Sequence, residues 1–158
     1  MSRKAIPTWF FGLVVVRDGD RFLAVREAKH GQLWYLPAGR VEEGETLAEA
    51  AHRETMEESG VPIVLEGVLK VQHTPSEGGS RLRVIYLARP ADATPPRSHP
   101  NEHSLEANWL TLAELGALPM RGPEALALFR WVASGARVHP LDLLGSEDDE
   151  YPPFEDMR

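Results

Sequence analysis

Short apolar runs separated by turn-forming residues dominate the first two thirds of the chain, and their spacing predicts strands around one early helix. Trp9 to Arg17 is rich in Phe and Val, Asp18-Gly19-Asp20 supplies turn chemistry, and Phe22 to Val25 resumes the run, which predicts a β-hairpin. Trp34-Tyr35-Leu36 is a short strand ended by Pro37, and Gly39 opens a polar loop that continues to Glu45. Thr46-Leu47-Ala48-Glu49 is a capping box, so a helix starts there; it runs to Ser59, where Gly60 supplies a left-handed cap and Pro62 prevents continuation. Ile63 to His73 and Arg81 to Ala88 form a second hairpin joined through Ser76 to Ser80. Pro90 to Asn101 carries four prolines and reads as a surface loop. Ala107 to Leu110 is a further strand, Leu112 to Leu115 a helical turn, and Pro123 starts a last helix that reaches about Ala133 and ends near Gly135.

The early helix has an unusual inner face. Positions three and four apart share a side, so Leu47, Ala50, Ala51, Glu54, Glu57 and Glu58 form one stripe that begins apolar and turns to carboxylate. The other side holds Glu49, His52, Arg53, Met56 and Ser59, an ordinary polar face with one exposed Met. Neighbouring like charges on an inward stripe repel by on the order of 1 to 3 kcal/mol per pair. The helix has no lysine, and its single arginine, Arg53, lies to one side within reach of Glu49 and Glu57. A divalent cation with a preference for hard oxygen ligands, Mg²⁺ or Mn²⁺, answers that repulsion. The glycine at position 39 can bring backbone carbonyl or N–H groups close to such an ion or to a phosphate.

Charge and composition then narrow the class. The 158 residues suffice for one domain, assigned to residues 1–135, followed by an acidic, partly flexible tail over residues 136–158. The net charge of -7 is local: six acids against Arg158 lie between Gly145 and the last residue, and seven more lie between Glu42 and Glu58. No basic stripe with interleaved aromatics is present, which argues against a nucleic-acid polymer as partner. Cysteine is absent, so any metal is held by oxygen or histidine, and a cytoplasmic location fits. Met1 to Pro7 is too short and polar for a signal peptide, and Trp9 to Val16 is far too short to cross a membrane. A soluble protein is expected.

The segment from Gly39 to Val61 resembles the signature of the Nudix (MutT-like) hydrolases, G-x5-E-x7-R-E-U-x-E-E-x-G-U, where U is bulky and aliphatic. Gly39, Glu45, Arg53, Glu54, Glu57, Glu58, Gly60 and Val61 fall in register, and Thr55 departs from it at an aliphatic position. The resemblance implies an α/β fold, the Nudix α/β/α sandwich with a mixed β-sheet, and one to three Mg²⁺ or Mn²⁺ ions. It implies that Glu54, Glu57 and Glu58 are metal ligands together with the Gly39 carbonyl, and that Arg53 and Glu45 brace loop against helix, with Gly60 structural. The implied reaction is attack of a metal-activated water on phosphorus in a nucleoside diphosphate linked to another moiety. Many family members carry a further Glu before the strand that here contains Trp109; His103 holds the matching position, with Glu102 beside it as candidate base and Glu106 nearby.

Glu27-Ala28-Lys29, Trp34 to Arg40, Leu87 to Pro90 and Ser104-Leu105 are similar to the branch of the family that acts on 8-oxo-guanine nucleoside diphosphates. That likeness implies a small-molecule nucleotide substrate cut to a monophosphate and phosphate, and family members are often homodimers. Candidate base contacts are Phe11, Trp34, Tyr35, Met120 and Glu124, and candidate phosphate contacts are Lys29, Arg40 and Arg81. The alternatives are hydrolysis of ADP-ribose, a nucleotide sugar or a dinucleoside polyphosphate, or a nucleotide-binding module without turnover.

Overall fold

The computed structural model describes Ser2 to Pro153; Met1 and residues 154–158, and with them the tail acids Glu155 and Asp156, lie outside the described residues. Ten elements follow in order: β1 (Thr8–Asp18), β2 (Arg21–Glu27), β3 (Trp34–Tyr35), β4 (Ala38–Arg40), α1 (Leu47–Ser59), β5 (Ile63–Ser76), β6 (Gly79–Pro90), β7 (Ser104–Thr111), α2 (Leu112–Gly116) and α3 (Glu124–Ala133).

Strand β1 is central. It pairs with β6 in parallel and with β4 antiparallel, and β5 extends the sheet beyond β6 as a long antiparallel hairpin. The β1–β2 hairpin exists only at its turn, where Arg17 faces Phe22 and Asp18 faces Arg21. Beyond that the strands diverge, and β2 pairs with β3 and β7 instead. The uninterrupted run Leu13 to Val16 is buried on both faces, as a strand covered on both sides requires. Its alternate side chains divide the core: Leu13 and Val15 join Phe129 and Val132 of α3, whereas Val14 and Val16 join Ala51 of α1 and Val61. That division is the α/β/α sandwich with a mixed sheet expected from the sequence.

Helix α1 packs directly on β1, because Gly12 has no side chain: a Cβ there would stand 3.4 Å from Ala51 N and from Leu47 O. The helix begins and ends as its sequence predicts. Thr46 accepts a bond from Glu49 N at 3.1 Å, Glu49 accepts one from Thr46 N at 2.8 Å, and Gly60 is left-handed at φ 73°.

Three expectations need correction. Ala38 to Arg40 is a strand rather than the start of the loop, because Gly39 lies opposite Gly12 and the edge of β1 is completed there; the loop begins at Val41. The turn between β5 and β6 is only Glu77-Gly78, with Gly78 at φ 76°, so both strands run longer than their apolar cores. Ser59 is buried rather than on the polar face, because α1 is inserted deeply enough to cover Ala51, Thr55 and Ser59 in one i, i+4 row. The buried hydroxyls are partnered within the helix: Thr55 donates to Ala51 O at 2.8 Å and Ser59 to Thr55 O at 2.5 Å. This is how a threonine occupies an aliphatic position without an orphaned donor.

The chain after Gly135, where apolar periodicity fades, is docked in part. His139 exchanges two 2.8 Å backbone bonds with Val68 of β5, and Leu144 packs on the core. Gly67 makes room for this strap, since a Cβ there would overlap Val138 and the His139 carbonyl. No described helix is long and apolar enough to cross a membrane.

Candidate active site

The C-terminal half of α1, strand β4 and the residues just before β7 meet at one end of a cleft of about 810 Å³. Strand pairing sets the first contact: β4 lies beside β1 under the helix, so Gly39 sits against Glu54. A side chain at residue 39 would overlap the Glu54 carboxylate. This steric requirement explains the signature glycine, whose backbone is not left-handed.

Arg53 organises the acids around it. Its Nε and Nη2 donate to the two Glu45 oxygens at 2.7 and 2.9 Å, and Nη2 also donates to Arg40 O at 3.0 Å. Nη1 donates to Glu54 at 2.8 Å and to Glu57 at 3.1 Å. Glu49 is not a partner, because its carboxylate is committed to the helix cap. The forked bond from Arg53 holds the Glu45 carboxyl below the usual carboxylate range, and Glu45 in turn keeps the guanidinium protonated. Loop and helix are tied together through this pair.

Glu58 differs from its neighbours. Burial pushes its carboxyl well above the ordinary value, with the Glu54 charge adding to the shift, and its hydrogen bond from Ala38 N is long at 3.4 Å. Burial also raises Glu54, whereas Arg53 pulls the other way. Among the described residues, no three acidic or histidine side chains converge on one point as they stand. The chemistry of the donors nevertheless fits a hard divalent cation: two partly desolvated carboxylates one helical turn apart, a third on Glu57, and the backbone of Gly39. Glu54, Glu57, Glu58 and the Gly39 carbonyl are the groups that would hold it, and it would supply positive charge beside Glu58, with which no cationic side chain pairs among the described residues.

The loop before β7 completes this end. His103 Nδ1 stands 3.7 Å from Glu57, its Nε2 is 3.3 Å from Glu102, and both residues line the cleft. Glu106 sits within β7 opposite Arg26 and does not line it. The loop is latched to the helix by Arg97, whose Nη2 donates to the carbonyls of Glu57 and Glu58 and to Ser104 Oγ, each at 2.9 Å. Nothing in the pattern of the proline-rich segment marks Arg97 for this task.

Phe11, Lys29, Tyr35, Arg40, Arg81 and Glu124, candidate contacts from the sequence, also line the cleft. The Phe11 ring lies beneath two guanidinium groups, Arg81 at 4.8 Å and Arg40 at 5.9 Å from its centre. Trp34 and Met120 do not line it. Alternation along β3 turns Tyr35 to the cleft and Trp34 into the core at 6% exposure, where Trp34 bridges to Met120. Sequence reasoning missed Arg83 and Arg121. Arg83 is two residues from Arg81 and therefore on the same strand face, a signal that was available; Arg121 stacks over Tyr35 at 5.0 Å and pairs with Glu27 at 3.1 Å.

Comparison with known proteins agrees with this geometry. Residues 9–132 match the family model described as the NUDIX domain. The 8-oxo-dGDP phosphatase NUDT18 of Mus musculus is 36% identical over 135 residues, covering 82% of this chain and 41% of that protein. Phosphatase NudJ of Escherichia coli O1:K1 is 31% identical over 134 residues, 83% of this chain and 86% of NudJ. The chain thus spans less than half the length of the NUDT18 relatives it matches and most of NudJ. Among solved structures, a NUDIX hydrolase from Nitrosomonas europaea aligns with a TM-score of 0.74 at 26% identity, covering 90% of this chain and 99% of the other. With Glu54 of the signature set against Gly39 and the match running from β1 to α3, the chain belongs to the Nudix family of hydrolases.

Proposed function

We propose that this Nudix hydrolase cuts the phosphoric anhydride of a guanine-type nucleoside diphosphate, oxidised 8-oxo-guanine forms included, in a reaction that depends on Mg²⁺ or Mn²⁺. The observation that carries the metal requirement is the carboxylate pair on one face of α1, Glu54 against Gly39 and Glu58 with one long bond from Ala38 N, both pushed up by desolvation. When bound, a divalent ion neutralises charge on the phosphates and polarises the attacking water. Water adds to phosphorus, the P–O–P bond breaks, and a nucleoside monophosphate and inorganic phosphate leave.

This chain's own residues supply position and charge. Arg53 and Glu45 fix the angle between loop and helix, so that Glu54 and Glu57 are oriented before substrate arrives. Lys29, Arg40 and Arg81 line the cleft and offer cationic contacts to the diphosphate, and the Phe11 ring carries the Arg40 and Arg81 guanidinium groups. Glu102 and His103 line the cleft, and Glu102 is the candidate to accept the proton of the attacking water. The names of the NUDT18 relatives support the 8-oxo substrate class. A cytoplasmic enzyme acting as a monomer or homodimer on free nucleotides completes the reading.

The test is a panel of GDP, 8-oxo-dGDP, their triphosphates, ADP-ribose, a nucleotide sugar and a dinucleoside polyphosphate, with Mg²⁺, Mn²⁺ or EDTA, read by product identification. Release of phosphate from GDP or 8-oxo-dGDP is expected. Hydrolysis confined to ADP-ribose, the sugar or the dinucleotide would overturn the substrate claim, and no hydrolysis of any compound would favour a binding module.

A further inference from the structure

Two carbonyls at the C-terminal end of α1 are left open by the local sequence. Gly60 N donates to Met56 O, but the next amide, Val61 N, donates to Ser59 Oγ at 3.1 Å, and Pro62 has no N–H to give. The carbonyls of Glu57 and Glu58 therefore take donors from elsewhere, and one segment, residues 97–104, supplies them. Arg97 Nη2 reaches both at 2.9 Å, Asn101 Nδ2 reaches Glu57 O at 3.2 Å, and Ser104 Oγ reaches Glu58 O at 2.5 Å. Asn101 also shapes the turn that follows it. Its Oδ1 accepts from His103 N at 2.8 Å and from Ser104 N at 2.9 Å, which fixes the amide with Nδ2 toward the helix. The turn so held carries Glu102, whose side chain is 86% exposed and, among the described residues, meets only His103 Nε2 at 3.3 Å. Its direction is thus set by the backbone of the turn and not by side-chain packing.

We propose that Asn101 is a positioning residue for the reaction: it fixes the turn carrying Glu102 and His103 on the backbone of α1, at the two residues whose carboxylates would hold the cation. The acid of the loop and the acids of the helix then share one frame. His103, with Nδ1 3.7 Å from Glu57, lies between them. Loss of the Asn101 amide lets the turn shift by about an ångström, which moves Glu102 relative to the attacking water. Arg97 and Ser104 still engage the Glu57 and Glu58 carbonyls, so the helix and its carboxylates stay where they are. The cost therefore falls on the chemical step, with metal and nucleotide binding preserved. A purely structural role would lower stability and leave the kcat of the folded enzyme unchanged.

This inference rests on the proposed hydrolysis with Glu102 as proton acceptor, and the experiment separates the two. N101D keeps an acceptor for His103 N and Ser104 N and loses the donor to Glu57 O; N101A loses both without adding charge. Each is assayed with Mg²⁺ and either GDP or ADP-ribose, alone and combined with E102Q. Mn²⁺ binding to the metal-free proteins is measured by calorimetry, beside thermal melts. In both single variants kcat is expected to fall about 10- to 100-fold, with KM and Mn²⁺ affinity within about twofold of wild type. In the E102Q background the same substitutions are expected to cost less than about twofold further, because the acid they place is already gone. Wild-type kcat in folded N101A and N101D overturns the positioning role while hydrolysis itself stands. Losses that multiply in full with that of E102Q, or an Mn²⁺ affinity that falls in step with kcat, overturn it as well, since the effect then does not pass through Glu102. Hydrolysis of ADP-ribose alone removes the guanine substrate, and the positioning role is then decided by the same ratios on ADP-ribose. No hydrolysis of either compound by wild type removes both.

Discussion

Gly39 and Glu54 are in contact so close that no β-carbon fits between the β4 backbone and the carboxylate. Gly39→Ala therefore displaces Glu54 without demanding a new backbone conformation. Turnover is expected to fall by about 10²-fold, the usual consequence of misplacing a reacting group by about an ångström, with little change in melting temperature. Steady-state kinetics beside a thermal melt checks it, and wild-type turnover in the alanine variant would contradict the steric account.

The bond between Arg53 and Glu45 makes stability depend on pH in a defined direction. Because Arg53 depresses the Glu45 carboxyl in the folded protein, the contribution is complete above the ordinary value of 4.5 and is lost as pH falls through the lower folded value. Melting of wild type and E45Q over a pH series is the check. The wild-type advantage is expected to be constant from about pH 7 to 5 and to shrink below about pH 4.5. A gap that widens on acidification would contradict the pairing.

Arg97 latches the loop bearing Glu102 and His103 to the end of α1. Arg97→Ala leaves Ser104 Oγ and Asn101 Nδ2 as the remaining donors to the Glu57 and Glu58 carbonyls. A loss of about 1 to 3 kcal/mol in chemical denaturation is expected. Arg97→Lys, which keeps the charge at the helix C-terminus and loses the fork, falls between alanine and wild type. Equal stability of all three would contradict the latch.

The parts of this molecule that obey periodicity were legible from sequence, and the parts made by tertiary contact were not. The helix from Leu47 to Ser59 announced itself through its capping box and Gly60, and the order of strands through turn residues. Strand β4 did not, because Ala-Gly-Arg has no strand signature and is strand only where Gly12 lies opposite. The glutamates were found because their spacing opposes the usual rule that charges face out. Ser59 was misplaced because a helix that packs on both β1 and β7 buries a wider arc than one resting on a surface. Trp34 and Tyr35 illustrate the limit within one dipeptide: alternation places one inward and one toward the cleft, and only the β2 register says which.

The most direct measurement is GDP and 8-oxo-dGDP turnover by wild type, E57Q and E58Q, with saturating Mg²⁺ and after EDTA, alongside far-UV spectra. The account predicts hydrolysis by wild type that EDTA abolishes and Mg²⁺ restores, and a loss of about 10³-fold or more in each folded variant. Wild-type turnover in both variants, or hydrolysis indifferent to EDTA, would contradict it.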